Sequence, residues 1–152
     1  MKILDKHVIG RVESVSLPEW NIDEIDAKID TGAYSSSLHC HKIEQFKHHQ
    51  ENWVRFNLLD PDHEAYNEQL IQLPIHDIRS VKSSNGIAQD RFFIKTTITL
   101  FSTIYDIELS LTDRSEMKYP LLLGRKFLKN KFLVDVSQKY VSNSEQIDQG
   151  SK

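Results

Sequence analysis

The sequence has a single cysteine, Cys40, in 152 residues, so no disulfide can form within the chain. Such cysteine usage is typical of a reducing compartment. Long apolar runs are also missing, since no stretch approaches the roughly 20 apolar residues that a membrane-spanning helix requires. Residues 1–10 carry charges and lack the apolar segment of a signal peptide. The sequence therefore predicts a cytoplasmic protein that does not associate with membranes.

Positive charge is not in excess, because 19 lysines and arginines are opposed by 22 aspartates and glutamates, for a net charge of −3. The basic residues are scattered rather than arranged in a stripe, and this pattern argues against nucleic-acid binding. The length and an apolar fraction of 39% suit one globular domain. We assign residues 1–141 to this domain and residues 142–152, which contain one isoleucine, to a polar tail.

Helix signals are confined to residues 124–130 and 21–23, whereas strand signals occur along most of the chain. Period-two alternation and runs of β-branched or aromatic residues predict strands at residues 7–16, 25–29, 36–43, 53–58, 69–74, 77–82, 91–101 and 103–111. The dipeptide Asn85-Gly86 marks a hairpin turn, because it supplies the positive φ angles of a tight primed turn. We expect an all-β fold, a small closed barrel with one short helix.

The segment Asp30-Thr31-Gly32-Ala33 directly follows a predicted strand. Such a turn presents a carboxylate where glycine permits unusual backbone angles and where backbone N–H groups lie close to the carboxylate. An aspartic protease requires this arrangement, although Asp-Thr-Gly also occurs in ordinary turns. A later apolar strand ends in Leu122-Leu123-Gly124-Arg125 and leads into the predicted helix. The order and separation of the two segments favour the protease interpretation.

Further motifs agree with these two segments: Leu17-Pro18, Ser37-Leu38-His39, residues 79–86, residues 111–117 and Val134-Asp135. From about Ile9 to Tyr140, the chain resembles a bacterial group of retropepsin-like aspartic proteases. This group was historically labelled ATP-dependent zinc proteases and is associated with ribosomal-protein glutamate ligases. The resemblance implies an acid-protease barrel that hydrolyses peptides. The association with ligases suggests a glutamate-extended protein tail, or another peptide, as the substrate.

The resemblance also implies roles for individual residues. Asp30 would be catalytic, Thr31 would hydrogen-bond across a subunit interface, and Gly32 would offer backbone groups to the carboxylate and the substrate. Leu122, Leu123 and Gly124 would pack beneath this loop, with Arg125 completing the supporting element. Ala33 would contact substrate, and the hairpin around Ser84, Asn85 and Gly86 would form a flap over the cleft.

Peptide hydrolysis by carboxylates alone requires two of them sharing one proton. Asp-Thr-Gly occurs once in the chain, so the second Asp30 has to come from another copy, which predicts a two-fold homodimer. One departure from the viral pattern bears on this dimer. An acidic residue there pairs with the arginine of the Gly-Arg element, but Tyr34 occupies its position here. Arg125 therefore lacks its expected partner unless Asp113 or Asp135 replaces it, and a monomer remains an alternative.

Two other functions remain open at this stage. One is a catalytically silent barrel that binds a peptide or protein. The other is a zinc-dependent hydrolase using His39 and His41, which share one face of a strand, with a third ligand from His48, His49, His63 or His76. The chain has neither a His-Glu-x-x-His motif nor a phosphate-binding Gly-x-x-x-x-Gly-Lys loop. We therefore expect no cofactor and no ATP site.

Overall fold

The computed structural model describes residues 1–58, 69–82, 85–113 and 118–143. These residues form twelve strands, a 3-10 turn at Pro18–Trp20 and one short helix, α1, at Arg125–Leu128, and residues 141–143 are also helical. The strands are β1 (Lys2–Ile3), β2 (Lys6–Ile9), β3 (Val12–Leu17), β4 (Ile22–Ile29), β5 (Ser36–His48), β6 (Glu51–Leu58), β7 (Leu70–Pro74), β8 (Asp77–Lys82), β9 (Ala88–Leu100), β10 (Thr103–Thr112), β11 (Leu121–Leu123) and β12 (Phe132–Val134). The all-β prediction is confirmed.

Six strands close a ring in the order β10, β9, β3, β4, β11 and β5, with β5 pairing back onto β10 in parallel. Strands β6 and β7 continue the sheet outward from β5, and β8 forms an antiparallel hairpin with the first part of β9. A small separate sheet contains β1, β2 and β12. The ring encloses one apolar core, because alternate residues of its strands point inward.

The core extends under α1. Phe127 and Leu128 are buried, and the Phe127 ring lies 5.7 Å from the rings of both Tyr105 and Phe132. Burying two large side chains from a four-residue helix holds this element against the ring, because apolar burial stabilises it more than its few internal hydrogen bonds. The sequence predicted a longer helix, at residues 124–130.

Several predicted boundaries differ from the structure. The strand predicted at residues 7–16 is divided at Gly10-Arg11 into β2 and β3. A Cβ atom on Gly10 would lie 2.4 Å from the carbonyl oxygen of Gln138, so the chain bends where another segment approaches closely. The prediction of helix at residues 21–23 is wrong, because the 3-10 turn begins earlier, at Pro18, and β4 begins at Ile22. Proline favours this place because its φ angle suits a first helical position.

The hairpin between β8 and β9 is present, but its turn differs from the predicted one. Lys82 pairs with Ala88, so five residues separate the two strands, and residues 83 and 84 lie outside the described residues. Gly86 has a φ of +85°. A two-residue primed turn needs positive φ at both positions, and the longer connection removes that requirement.

A buried carboxylate ties the end of the described chain to the ring. Glu13 on β3 is fully buried, and its two oxygens accept hydrogen bonds from the backbone N–H groups of Gly10, Val141 and Ser142 and from the Ser142 hydroxyl, at 2.7–3.1 Å. Ser142, which the sequence assigned to the tail, is therefore packed, and residues 144–152 lie outside the described residues. Among the described residues, no helix has the length and apolar character needed to cross a membrane.

We expect Glu13→Gln to lower the free energy of unfolding by about 1–3 kcal/mol. Each oxygen of Glu13 faces a backbone N–H, so either orientation of the glutamine amide places a donor against a donor. Chemical denaturation of both proteins measures the difference. Glu24→Gln, which neutralises an exposed carboxylate on β4, is the matched control. Equal losses in the two variants would contradict a role for the buried hydrogen bonds.

Candidate active site

Asp30 lies where β4 leaves the ring, and the three-residue strand β11 fixes its position. Strand β11 pairs in parallel with β4, with Leu122 opposite Lys28 and Leu123 opposite Ile29. The ladder continues one step further, since the Asp30 N–H donates to the Leu123 carbonyl at 2.9 Å. The structure thus places the two segments that the sequence singled out side by side.

The Asp30 carboxylate is half-buried and is held by its own turn. The Gly32 N–H donates to Asp30 Oδ1 at 3.0 Å, and the Ala33 N–H donates to the Asp30 carbonyl at 3.3 Å. Gly32 does not adopt a positive φ, so the unusual backbone angle expected from the sequence is absent. Space explains the glycine instead, because a Cβ atom there would lie 3.2 Å from Asp30 Oδ1.

The start of α1 supports the loop from below. The N–H groups of Arg125 and Lys126 donate to the carbonyls of Ala33 and Tyr34 at 2.8 and 3.0 Å. The first N–H groups of a helix have no partner within the helix, so loop carbonyls satisfy them here. The Gly124 N–H donates to the Ser36 hydroxyl at 3.0 Å, and a Cβ atom on Gly124 would lie 2.5 Å from the Ser35 carbonyl oxygen. Only glycine lets the loop and the helix approach so closely.

Arg125 has partners within its own chain, contrary to the expectation from the sequence. Its Nη1 donates to the Thr31 carbonyl at 2.9 Å, and its guanidinium lies 5.9 Å from the centre of the Tyr34 ring. Neither of the two carboxylates suggested from the sequence, Asp113 and Asp135, pairs with Arg125. Asp113 lies 4.0 Å from His41, and Asp135 accepts hydrogen bonds from Ser137 and Gln138. A backbone carbonyl and an aromatic face therefore replace the acidic residue of the viral pattern.

Asp30 opens onto a cleft of about 760 Å³. Its floor comes from the Asp30 loop, β5, β10 and Leu122, and its wall comes from the β8–β9 hairpin. Asp30 is the one acidic residue among the described lining residues, whereas three basic residues, Arg79, Lys82 and Arg91, come from the hairpin wall. Several of the other lining residues carry hydroxyl groups: Ser35, Ser37, Ser80, Ser110 and Thr112. The cleft thus combines apolar surface with hydroxyl groups, and its basic lining residues outnumber its one described acid.

The described residues of the predicted flap, Asn85 and Gly86, do not line the Asp30 cleft, whereas the strands of their hairpin do. Asn85 lines a neighbouring pocket of about 510 Å³ rather than the Asp30 cleft, and Ser84 lies outside the described residues. Gly86 is exposed and does not line either pocket. Ala33 does line the cleft. The hairpin therefore contributes its strands to the cleft, whereas Asn85 lies at the neighbouring pocket.

The basic residues of the wall were not predicted as site residues. Arg79 and Arg91 stand directly opposite each other in the β8–β9 ladder. Like charges in this arrangement destabilise a sheet, so a functional or structural reason for them is expected. The predicted two-residue turn would have placed Arg79 opposite Phe92, so only the observed register, one residue different, brings the two arginines together. Arg79 is paired, with both terminal nitrogens donating to the two oxygens of Glu108 at 2.8 Å.

The two histidines proposed as the main zinc ligands, His39 and His41, lie on β5, where His39 pairs with Thr112 of β10. His39 is buried and its backbone N–H donates to the Pro120 carbonyl, while His41 is half-buried beside Asp113. Cys40 between them is fully buried, and this burial raises the pKa of its thiol well above the usual value. In the described ranges, no three metal-binding side chains are grouped together. His63 lies outside those ranges.

Comparisons with known proteins agree with this geometry. Residues 8–145 match the model of the RimB-like family, described as "Retropepsin-like aspartic endopeptidase RimB". The chain is 38% identical over 140 residues to a protein of Shewanella pealeana and 35% identical over 130 residues to one of Desulfotalea psychrophila, both named "Probable alpha-L-glutamate ligase". These matches cover 90% and 86% of the chain but only 30% and 28% of the relatives, so the chain spans less than a third of their length.

A solved structure is also similar. A Legionella pneumophila protein of unknown function (DUF785) superposes with a TM-score of 0.72 at 26% identity, and the match covers 90% of this chain and 98% of that one. The family match spans nearly the whole domain and includes the Asp30 loop, β11 and α1. By sequence and by fold, the chain belongs to the RimB-like family of retropepsin-like aspartic endopeptidases.

Proposed function

We propose that this domain is an aspartic-type endopeptidase in which Asp30 of two copies forms the catalytic pair. The position of Asp30 carries the proposal: it is half-buried, held by the Gly32 N–H, and is the one acid among the described residues that line the cleft. Carboxylate-only hydrolysis needs a second carboxylate within hydrogen-bond distance of the first. A second copy of the chain, related by a two-fold axis near Asp30, supplies it.

The chemistry follows from one proton shared by two acids. The ionised Asp30 accepts a proton from a water molecule, and the protonated Asp30 of the second copy donates a hydrogen bond to the carbonyl of the peptide bond. The oxygen of the water attacks the carbonyl carbon and gives a tetrahedral intermediate. Transfer of a proton to the leaving nitrogen then breaks the C–N bond. Thr31 and Gly32 are exposed beside Asp30, which leaves the loop accessible to the second copy.

The charge of the cleft favours an acidic substrate. Three basic residues stand on one wall of a cleft in a chain whose net charge is −3. Arg79 is paired with Glu108, whereas Lys82 is exposed on the same wall, and both Lys82 and Arg91 line the cleft where substrate carboxylates would lie. Proteins that contain a similar segment are named for glutamate ligation. We therefore propose a glutamate-rich or glutamate-modified protein tail as the substrate.

Asp30→Asn is expected to lower kcat on an oligoglutamate-containing peptide roughly 10²–10⁴-fold, because the amide cannot act as a base. Asp23→Asn, on an exposed residue of the same strand, is the matched control and should retain activity. Cleavage of the peptide is followed by mass spectrometry. Full activity of the Asp30 variant would exclude Asp30 from the mechanism. Binding of the peptide by the wild-type chain without cleavage would identify the domain as a silent peptide-binding barrel.

A mixing experiment tests the shared site. When a fixed amount of wild-type chain is mixed with excess Asp30→Asn chain, activity should fall as mixed dimers form, because each mixed dimer has one carboxylate. The same excess of the Asp23→Asn chain should not lower activity. Unchanged activity in the first mixture would show that one chain carries a complete site.

Arg91→Gln and Lys82→Gln are each expected to raise KM for the acidic peptide roughly threefold to tenfold, the effect of losing about 1 kcal/mol of charge pairing. The dependence of KM on salt should weaken in both variants, since fewer charges then attract the substrate. Lys47→Gln removes an exposed positive charge from β5, outside the cleft, and serves as the control. An unchanged KM in both cleft variants would contradict the acidic substrate without affecting the assignment of Asp30.

A further inference from the structure

Glu108 on β10 stands at the centre of an ion-pair cluster behind the cleft wall. Its side chain is 12% exposed and accepts two hydrogen bonds from Arg79 at 2.8 Å. Lys126 Nζ lies 3.2 Å from Glu108 Oε1, and His76 Nε2 lies 3.1 Å from Glu108 Oε2. Asp77 completes the cluster by accepting a 2.6 Å hydrogen bond from Arg79 Nε. One carboxylate thus contacts groups from two separate parts of the chain, residues 76–79 and Lys126.

The partners of Glu108 belong to the two sides of the candidate active site. Arg79 is on β8, lines the Asp30 cleft and packs its guanidinium over the Phe93 ring at 4.3 Å. Lys126 is in α1, and its backbone N–H holds the Tyr34 carbonyl of the Asp30 loop. Glu108 is therefore a direct bridge between the wall of the cleft and the element that supports its floor.

The β8–β9 hairpin depends on Glu108 because two positively charged residues of the hairpin face each other and repel. Strand β8 pairs only with β9 among the described residues, and Arg79 faces Arg91 across that ladder. Glu108 offsets this repulsion. Burial by itself raises the pKa of Glu108, but hydrogen bonds from Arg79 and Lys126 outweigh it and hold that pKa below the usual value. The carboxylate is therefore ionised and able to hold both cations near neutral pH.

We propose that Glu108 is a positioning residue, which through Arg79 and Lys126 fixes the β8 wall relative to the Asp30 loop. The bidentate geometry of the Arg79 contact sets both the distance and the direction of the wall. A substrate bound against β8 is thereby held over the Asp30 carboxylate, where small displacements have large effects on rate. The effect on catalysis rests on the proposed peptidase function, whereas the effect on the wall does not.

Hydrogen exchange measured by mass spectrometry tests the structural part. In Glu108→Gln, the amides of Ile78–Lys82 should exchange about tenfold faster or more, as expected for the loss of hydrogen bonds to a charged group. The amides of β3 and β4 should keep their exchange rates. Arg79→Lys keeps the charge but loses the bidentate contact, and it should give a smaller increase in the same segment. Asp106→Asn, which neutralises an exposed carboxylate of the same strand as Glu108, is the matched control and should leave these exchange rates unchanged.

Peptidase kinetics test the catalytic part. If Arg79 served only as a substrate ligand, Glu108→Gln would release its charge and lower KM for an acidic peptide. A positioning role predicts instead that kcat falls roughly tenfold or more while KM does not decrease. Unchanged exchange in β8, or an equal increase over the whole ring, would overturn the proposal. If the wild-type chain cleaves no peptide, the peptidase function fails and the exchange result alone decides the role of Glu108.

Discussion

The pairing of β11 between β4 and β5 is the constraint on which the rest of the site depends. Three residues, Leu121–Leu123, complete the ring of strands and extend the ladder of β4 by one hydrogen bond to Asp30. The chain then turns at Gly124 into α1, whose first N–H groups hold the next two carbonyls of the loop. The same three-residue strand therefore closes the ring and positions the Asp30 carboxylate. A change that shifted β11 would displace Asp30 along with the core.

The parts of the site that depend on local sequence could be predicted. Strand alternation ending at Asp30, and an apolar strand ending at Gly124, identify two segments whose backbones have to meet if the fold closes. The sequence singled out glycine at both places, but it predicted an unusual backbone angle at Gly32, whereas the approach to Asp30 Oδ1 appears only in three dimensions. Residue type alone cannot distinguish a glycine needed for its φ angle from one needed for space.

The parts that depend on long-range contacts could not be predicted. The partner of Arg125 is a backbone carbonyl, which every residue possesses, so no sequence pattern identifies it. Glu13 alternates with its neighbours like an ordinary strand residue, yet it is buried because the segment around Ser142 supplies its donors. The pairing of Arg79 with Glu108 spans 29 positions and requires the register of three strands to be known first. Charge balance within a cleft is a property of the assembled fold.

The contact of Arg125 with the Thr31 carbonyl has a thermodynamic consequence. Ordering a flexible loop on association reduces affinity, because conformational entropy is lost at that moment. Here Arg125, Gly124 and α1 hold the Asp30 loop within a single chain, so that entropy is already lost when the domain folds. Under the proposed mechanism, the ordering of this loop is then not a cost of association, although the loss of translational and rotational freedom still is. A site assembled from two rigid halves responds to the concentration of the chain itself, and its activity rises steeply near the dissociation constant of the dimer.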